Sequence, residues 1–355
     1  MEDESHISRV DWDSGTAYDL FISLRVLHEP DKFNLRASWA AGVRSRLSPR
    51  DRETLEVAKD VVHLPLKWVY TLPAPKDALT ALRMLESALP GERLDRLAIS
   101  QETPGEVADL LRNVAVRRSW NEKDRELLRI HHPAKNHLRT KNLVTILDTW
   151  AHPDEFGEAY LQALSAYHAV FFMEEEERIR SALLEALAKA QDKAAFLTTA
   201  ELIEDLSQGV RFSSLSEMEK IIFSPSYWIT PLIYFEKIEP GSMVLLFGAR
   251  PADVSLVPGE AIPDAMLRSL KALADPTRLK ILRYLGEGSY TPAQLARLLR
   301  LRAPTVIHHL NDLRLAGLVH LTLEGAGEKR YQARLETAQA TFTTLIDFLD
   351  VQKES

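Results

Sequence analysis

The feature that most constrains this chain of 355 residues is a dense run of helix signals between residues 291 and 317. Thr291-Pro292-Ala293-Gln294 places a capping Thr before a Pro at the first helical position, with Gln three residues after the Thr. This arrangement predicts a helix start with a capping box. The helical spacing that follows predicts a buried face made of Leu295, Leu298 and Leu299. A turn at Leu301 and Arg302 ends this first short helix.

A second helix is predicted from Ala303 to Ala316, directly after that turn. Apolar residues four and three positions apart predict its inner face, which consists of Val306, Leu310 and Leu313. Gly317 stands where a residue in the left-handed conformation commonly ends a helix. The two predicted helices are therefore separated by only a tight turn.

A β-hairpin is predicted immediately after the second helix. Leu318–Leu323 reads as a strand, Glu324–Glu328 as a turn that contains glycine, and Lys329–Arg334 as a second strand. Two helices at a tight turn with a hairpin behind them predict a winged helix-turn-helix. In such a module one helix enters the major groove of DNA while the hairpin reaches the flanking backbone.

The predicted DNA-binding residues lie on the second helix and near the tip of the hairpin. Base edges and phosphates are the partners expected for polar and cationic side chains at these positions. Two adjacent histidines can also be merely solvated, and the cations can be ordinary surface charges. The predicted contact set is Arg302, Ala303, Thr305, His308, His309, Asn311, Lys329 and Arg330.

Three segments resemble the ArsR type of transcriptional regulators. Ala272–Leu282 is similar to the opening helices of that family, Thr305–Leu310 to its recognition helix, and Ala316–Val319 to the start of its wing. The resemblance covers about a fifth of the chain. It implies a homodimer that binds a roughly palindromic operator, often as a repressor that an effector releases. It also implies that flanking helices near Asp264–Ala274 and Leu335–Val351 form the dimer interface.

The chain departs from the metal-sensing members of that family. It contains no cysteine, and no histidine occurs from Glu336 onward, so the thiolate and imidazole ligands of the usual family sites are missing. We therefore predict no metal site and no cofactor. Arg302 stands where the family commonly has an N-capping Ser, and an Arg side chain cannot accept the orphan backbone N–H bonds of a helix start. Arg302 can instead face a phosphate.

No catalytic signature is found in the first 250 residues. The segment His131–His137 groups three histidines, but neither cysteine nor a well-spaced carboxylate supports metal binding there, and helix capping or solvation is the simpler interpretation. The six tryptophans can line a ligand pocket, although ordinary core packing is the simpler interpretation for each of them. We therefore predict that the chain is not an enzyme.

The charge is divided unevenly along the chain. Residues 264–335 carry 12 Lys and Arg against 6 Asp and Glu, whereas residues 1–263 carry 31 against 41. The final twenty residues contain one Lys and four acidic residues. A basic module on an acidic body is typical of a DNA-binding domain joined to a domain that does not bind DNA.

The domain organisation follows from these patterns. We predict a mostly helical sensor or oligomerisation domain at residues 1–249, with a few strands near residues 220–248, among them Ile229–Phe235. A linker is predicted at residues 250–263, the winged helix-turn-helix at 264–335, and a dimerisation helix at 336–355. The fold class is mainly α with a small β component.

The composition and the N-terminus indicate a cellular compartment. The absence of cysteine is typical of a reducing cytoplasm. The acidic segment MEDESHISRV does not resemble a signal peptide, and no apolar run is long enough to span a bilayer. We therefore expect a cytoplasmic protein that does not interact with membranes.

The sequence favours one function and leaves two alternatives. The favoured function is a transcriptional regulator that binds a double-stranded DNA operator as a homodimer and responds to a small-molecule effector through the N-terminal domain. The first alternative is an enzyme-like N-terminal domain fused to an autoregulatory winged helix. The second is a winged helix adapted to protein contacts, against which the basic charge argues.

Overall fold

A computed structural model describes residues 9–33, 35, 37–131, 140–212, 218–251, 254, 262–324 and 328–350. We call residues 9–251 the body and residues 262–350 the C-terminal region. The predicted linker at residues 250–263 and the histidine segment at residues 131–137 lie mostly outside the described residues. Within the described residues, no helix combines the length and the apolar character needed to cross a membrane.

Most of the described chain is helical, which confirms the predicted fold class. A 3₁₀ turn, Pro30–Phe33, follows α1, and a π-helical segment, His168–Phe172, joins α10 to α11. The helices of the body are α1 (Thr16–His28), α2 (Ala37–Ser45), α3 (Pro49–Val61), α4 (Leu66–Tyr70), α5 (Ala78–Glu86), α6 (Pro90–Ala98), α7 (Gly105–Arg117), α8 (Glu122–His131), α9 (Thr140–Ala151), α10 (Pro153–Tyr167), α11 (Met173–Ala194) and α12 (Thr199–Leu206). The helices of the C-terminal region are α13 (Asp264–Leu273), α14 (Pro276–Glu287), α15 (Pro292–Leu299), α16 (Ala303–Leu315) and α17 (Leu335–Asp350).

The strands form two separate sheets. Their bounds are β1 (Arg9–Trp12), β2 (Val210–Phe212), β3 (Lys220–Ser226), β4 (Tyr234–Glu239), β5 (Ser242–Gly248), β6 (Val319–Leu323) and β7 (Lys329–Ala333). The first sheet has the order β1-β3-β5-β4, in which β1, β3 and β5 are parallel and β4 is antiparallel to β5. It lies within the body and brings together residues more than two hundred positions apart.

The second sheet joins the body to the C-terminal region. β6 and β7 form the predicted antiparallel hairpin, with Leu321 opposite Tyr331. β2 from the body adds a third strand that is parallel to β6, with Val210 opposite Leu321. This pairing was not predicted from the sequence, because a strand of three residues carries too little periodicity to be recognised. One strand of the wing sheet therefore belongs to a segment that precedes the predicted linker.

One prediction about local structure in the body is wrong in its bounds. Ile229–Phe235 was predicted as a strand, but Ile229–Pro231 lie in a buried turn and the strand begins only at Tyr234. A proline within a strand removes a ladder hydrogen bond, so Pro231 fits the turn better.

The C-terminal region has its own hydrophobic core. Helices α14, α15 and α16 pack their apolar faces together and against the inner side of the hairpin. The fully buried residues at its centre are Ile281, Leu285, Leu295, Val306, Leu310 and Leu313. The body has a larger core around α1, α10 and β5, in which Trp228 packs against Trp39 with 5.4 Å between the ring centroids. Each region thus buries a separate apolar cluster.

Candidate nucleic-acid interface

The first helix of the predicted motif is capped as the sequence indicates. The Thr291 side chain accepts a hydrogen bond from the backbone N–H of Gln294, and the Gln294 side chain accepts one from the backbone N–H of Thr291. α15 ends at Arg300, which adopts the left-handed conformation with a φ of 55°. This reversal directs the chain into α16 within three residues. The predicted turn at Leu301 and Arg302 therefore begins one residue earlier.

α16 presents its predicted contact residues on its exposed sides. Val306, Leu310 and Leu313 are buried in the winged-helix core, as predicted. Arg302 occupies the N-cap position without a capping side-chain bond, which leaves its guanidinium available for a partner outside the helix. The side chains that α16 exposes to solvent include those of Arg302, Ala303, Thr305, His308 and Asn311.

The two adjacent histidines occupy different environments. The His308 side chain is 74% exposed, and its Nε2 lies 3.8 Å from a carboxylate oxygen of Asp312. His309 is half-buried, and its Nδ1 has no hydrogen-bond partner among the described residues. Side chains one residue apart on a helix diverge by about 100°. His308 is therefore better placed than His309 to reach a ligand in front of the helix.

A partly buried ion pair holds α16 in position. Arg278 of α14 donates to the carboxylate of Asp312 over 2.5 Å, and also to the backbone carbonyls of Ala272 and Lys271. Asp275 caps α14 by accepting from two backbone N–H groups, and these bonds lower the pKa of its carboxyl. One guanidinium therefore joins three helices. The segment Asp275–Arg278 was noticed in the sequence only as part of a resemblance, and its bracing role requires the contact with α16.

The two predicted wing cations also differ. Lys329 is exposed, whereas Arg330 is half-buried. The Arg330 guanidinium donates to the backbone carbonyl of Ser289 over 3.2 Å and lies 3.2 Å from a carboxylate oxygen of Glu324. The tip residues 325–327 lie outside the described residues. Since Arg330 already has two partners within the protein, Lys329 is the better placed of the two to meet a phosphate.

Further exposed cations were not included in the predicted contact set. Arg297 and Arg300 lie at the C-terminal end of α15, and Lys280 and Arg283 lie on α14. Arg300 lies in the turn three residues before the first residue of α16, where phosphates approach a helix-turn-helix. In the sequence, the alternation Leu299-Arg300-Leu301-Arg302 indicates two exposed cations before α16. Which of these side chains are exposed depends on the left-handed conformation of Arg300.

Two helices that meet at a tight turn, followed by an antiparallel hairpin, define a winged helix-turn-helix. Residues 275–320 match the family model described as bacterial regulatory protein, arsR family. The C-terminal region of this chain therefore carries a helix-turn-helix of the ArsR type, and the resemblance seen in the sequence is confirmed.

Two relatives share this region. The HTH-type transcriptional regulator CmtR of Mycobacterium tuberculosis (strain H37Rv) is 49% identical over 61 residues, which make up 17% of this chain and 52% of that protein. The uncharacterized HTH-type transcriptional regulator MJ1325 of Methanocaldococcus jannaschii is 46% identical over 56 residues, which make up 16% of this chain and 63% of that protein. The match thus spans about half the length of CmtR and less than two thirds of MJ1325.

Among the described residues, no group of three or more His, Asp or Glu side chains is arranged to hold a metal ion. His308, His309 and His320 do not form such a group. The prediction that the protein senses no metal stays a prediction.

Proposed function

We propose that this protein is a transcriptional regulator that binds a double-stranded DNA operator through α16. The observation that carries the proposal is the exposed N-terminal half of α16, which presents Arg302, Thr305 and His308, on a helix that Arg278 braces at Asp312. The winged helix is the basic part of an otherwise acidic chain, so its approach to DNA is electrostatically favoured. CmtR and MJ1325 are both named as transcriptional regulators, which supports the proposal.

The test is a comparison of specific with non-specific binding. DNA fragments that the full-length protein selects from a random pool are compared with unselected DNA at physiological salt. A specific regulator prefers the selected sites by about 1,000-fold or more. We expect a triple variant, in which Arg302, Thr305 and His308 are all replaced by Ala, to lose that preference. Its helical circular dichroism spectrum is expected to stay unchanged. Equal affinity of the unaltered protein for selected and random DNA contradicts the proposal.

We further propose that the regulator acts as a homodimer. α13 and α17 pack together, and α17 leaves an apolar stripe without cover in the single chain. The stripe consists of Leu335, Phe342, Ile346 and Leu349, each more than half exposed. A contiguous exposed apolar face on a helix is typical of a protein interface. Two copies joined through it present two copies of α16, which suits operator half-sites about one helical turn apart.

The repressing action and the response to an effector are also proposals. The body contacts the wing directly through β2, so a ligand that binds the body can change the position of the wing. Such a ligand changes operator occupancy only as far as it binds one position of the wing more tightly than the other. A reporter gene placed behind a selected operator tests the sign. Expression that rises when the regulator gene is deleted supports a repressor, and expression that falls contradicts it.

The alternative of an enzyme-like body is addressed by a cleft in the body. This cleft has a volume of about 730 Å³ and is lined partly by Trp68, Trp150 and Glu236. Burial raises the pKa of the Glu236 carboxyl to about 7. The same carboxylate accepts hydrogen bonds from the backbone N–H groups of Leu66 and Lys67 at the start of α4. Because this role as a helix cap explains the residue, we propose that the body is not catalytic.

A further inference from the structure

A second cavity lies where the body meets the C-terminal region. It has a volume of about 450 Å³ and is lined by the turn that contains Thr230, by α13, by the end of α16 and by α17. It differs from the cleft in the body that contains Glu236, whose lining includes no described residue beyond 236. Any molecule in this second cavity touches both regions at once.

Arg250 is buried beside this cavity without full hydrogen bonding. Its side chain is 2% exposed, and its Nη2 donates to the backbone carbonyl of Thr230 over 3.2 Å. Its Nη1 has no hydrogen-bond partner, and the nearest carboxylate oxygen, on Asp264, lies 3.8 Å away. Burial lowers the pKa of the Arg250 guanidinium to about 10, and the positive charge of Arg268 contributes. A buried cation in this state is costly unless a counter-ion is supplied.

Arg268 on α13 lines the same cavity. It is also more than nine-tenths buried, and its Nε has no hydrogen-bond partner. Burial lowers the pKa of its guanidinium. Among the described charged residues of the lining, Arg250, Arg268 and Arg334 face a single carboxylate, that of Asp264. Arg334 is already bonded to the carbonyl of Gln208 and paired with Glu336. The excess positive charge therefore belongs to Arg250 and Arg268, two guanidinium groups that face one carboxylate.

A third buried arginine shows what a purely structural arginine is like in this protein. Arg93 in the body core is 5% exposed. Its Nε donates to the carbonyl of Leu85 over 2.8 Å, its Nη1 donates to the carbonyl of Gly157 over 3.1 Å, and Glu158 lies within 3.2 Å. Arg93 therefore has the carbonyls and the carboxylate that a buried guanidinium requires. Arg250 and Arg268 leave N–H groups unpaired beside an open volume.

We propose that this junction cavity, formed around Arg250 and Arg268, binds a small molecule that carries a carboxylate or a phosphate group. The planar guanidinium donates well-oriented hydrogen bonds to both kinds of oxyanion. The volume is in the range of cavities that hold small organic ligands. The bound anion supplies the second negative charge that the two arginines need beside that of Asp264.

The position of the cavity connects it to the DNA-binding helix. Ser269, next to Arg268 on α13, donates to the carbonyl of Ala316 at the C-terminal end of α16 over 3.1 Å. The buried face of α17 at Thr341 lines the same cavity, while its apolar stripe faces outward. An anion held by Arg268 therefore bears on α13, α16 and α17. This step rests on the proposed function, in which the three helices set the spacing of the two half-site readers.

The binding test uses the full-length protein and two probes, inorganic phosphate and succinate, at constant ionic strength with chloride as the reference. Ligand that binds only the folded state raises the unfolding temperature, and we expect about 4 °C or more at saturation. Titration calorimetry then gives the affinity of each probe. The probe that binds distinguishes a phosphate ligand from a carboxylate ligand. The proposal is overturned if neither probe raises the unfolding temperature more than chloride does.

Variants identify the site of binding. Arg268→Gln and Arg250→Gln are each expected to weaken probe affinity at least about tenfold, the loss expected for one charge-assisted hydrogen bond. Arg93→Gln is the matched control, a buried arginine outside the cavity, and is expected to lower the unfolding temperature but retain the probe affinity. Without anion, Arg268→Gln is expected to unfold no earlier than the unaltered protein, because it removes one of two repelling buried charges. Unchanged affinity in both cavity variants contradicts the assignment.

The link to DNA is measured separately. The affinity of the anion-free protein for the operator is determined first. If this protein does not bind the operator, the proposed function fails and the proposed ligand site is unaffected. Saturating probe is then expected to change operator affinity at least about fivefold in the unaltered protein and not in Arg268→Gln. Probe binding without such a change overturns the regulatory role of the cavity.

Discussion

The winged helix-turn-helix places contacting elements next to one another along the chain, whereas the first sheet of the body pairs Arg9–Trp12 with Lys220–Ser226. In the winged helix, caps, turns and apolar faces all lie within residues 275–333 and can be recognised locally. In the body, the neighbours of a residue are set by packing of distant segments. The comparison teaches that the winged helix can be recognised because its contacts join residues close in the sequence. Its contacts with the body join distant residues and cannot be recognised in this way.

The comparison extends to the surfaces of the two regions. The apolar stripe on α17 belongs to the C-terminal region, but it is exposed and takes no part in the hydrophobic core of the winged helix. Aromatic groups of the body such as Trp228 are buried among other rings. The stripe on α17 is therefore uncovered in the single chain, and the largest expected effects concern this stripe.

The sharpest prediction concerns dimerisation through α17. Ile346→Asp places a charge at the centre of the exposed stripe, so we expect monomers at micromolar concentration and operator binding weakened about 100-fold or more. Analytical ultracentrifugation and a DNA titration measure the two effects. Thr343→Asp adds the same charge outside the stripe and is expected to leave the dimer intact. An unaltered protein that sediments as a monomer would show that the stripe has another use.

A second prediction tests whether the body stabilises the wing. Val210 is buried in β2 opposite Leu321 of the wing. Val210→Ala removes buried methyl groups at this contact and is expected to lower the free energy of unfolding by about 1–3 kcal/mol. Exposed Val116 provides the control, since Val116→Ala is expected to change it by less than about 0.5 kcal/mol. Equal effects of both variants in denaturant titrations would mean that the two regions are energetically independent.

A third prediction concerns pH at the same junction. Burial, with Arg211 and Arg334 nearby, lowers the pKa of His320 below its ordinary value of 6.5 despite the carboxylates of Glu204 and Glu336. The unfolded chain therefore binds a proton at His320 more readily than the folded chain. Stability is expected to fall as the pH drops from about 6.5 toward the folded pKa of His320. His320→Gln should flatten the unfolding temperature over this range. A steeper decline in the variant than in the unaltered protein would reverse the assignment.

The smallest expected effect distinguishes the two wing cations. Lys329→Ala is expected to weaken binding to all DNA sequences alike and to reduce the slope of log affinity against log salt by about one, because one phosphate contact is lost. Arg330→Ala is expected to change that slope less, since Glu324 and Ser289 already hold its guanidinium. Salt titrations with operator and random DNA check both variants. A larger slope change for Arg330→Ala would show that Arg330 leaves Glu324 when DNA binds.

Within the C-terminal region, the amino-acid sequence determined most of the structure. The Thr291–Gln294 capping box, the buried face of α16 and the left-handed Gly317 each follow from interactions between residues a few positions apart. Such interactions use the same geometry in any chain, so pattern and spacing are sufficient to predict them. The mainly helical character of the body follows for the same reason.

Other features were decided only by the tertiary structure. Three such features are the addition of β2 to the wing sheet, the brace from Arg278 to Asp312 and the burial of Arg250 beside Arg268. Each brings together residues that lie on separate elements. The sequence also treated His308 and His309 alike, although one is exposed and the other is half-buried. These outcomes depend on which surfaces of separate elements meet. Close packing of the whole chain decides which surfaces contact one another, and this cannot be predicted from a local sequence pattern.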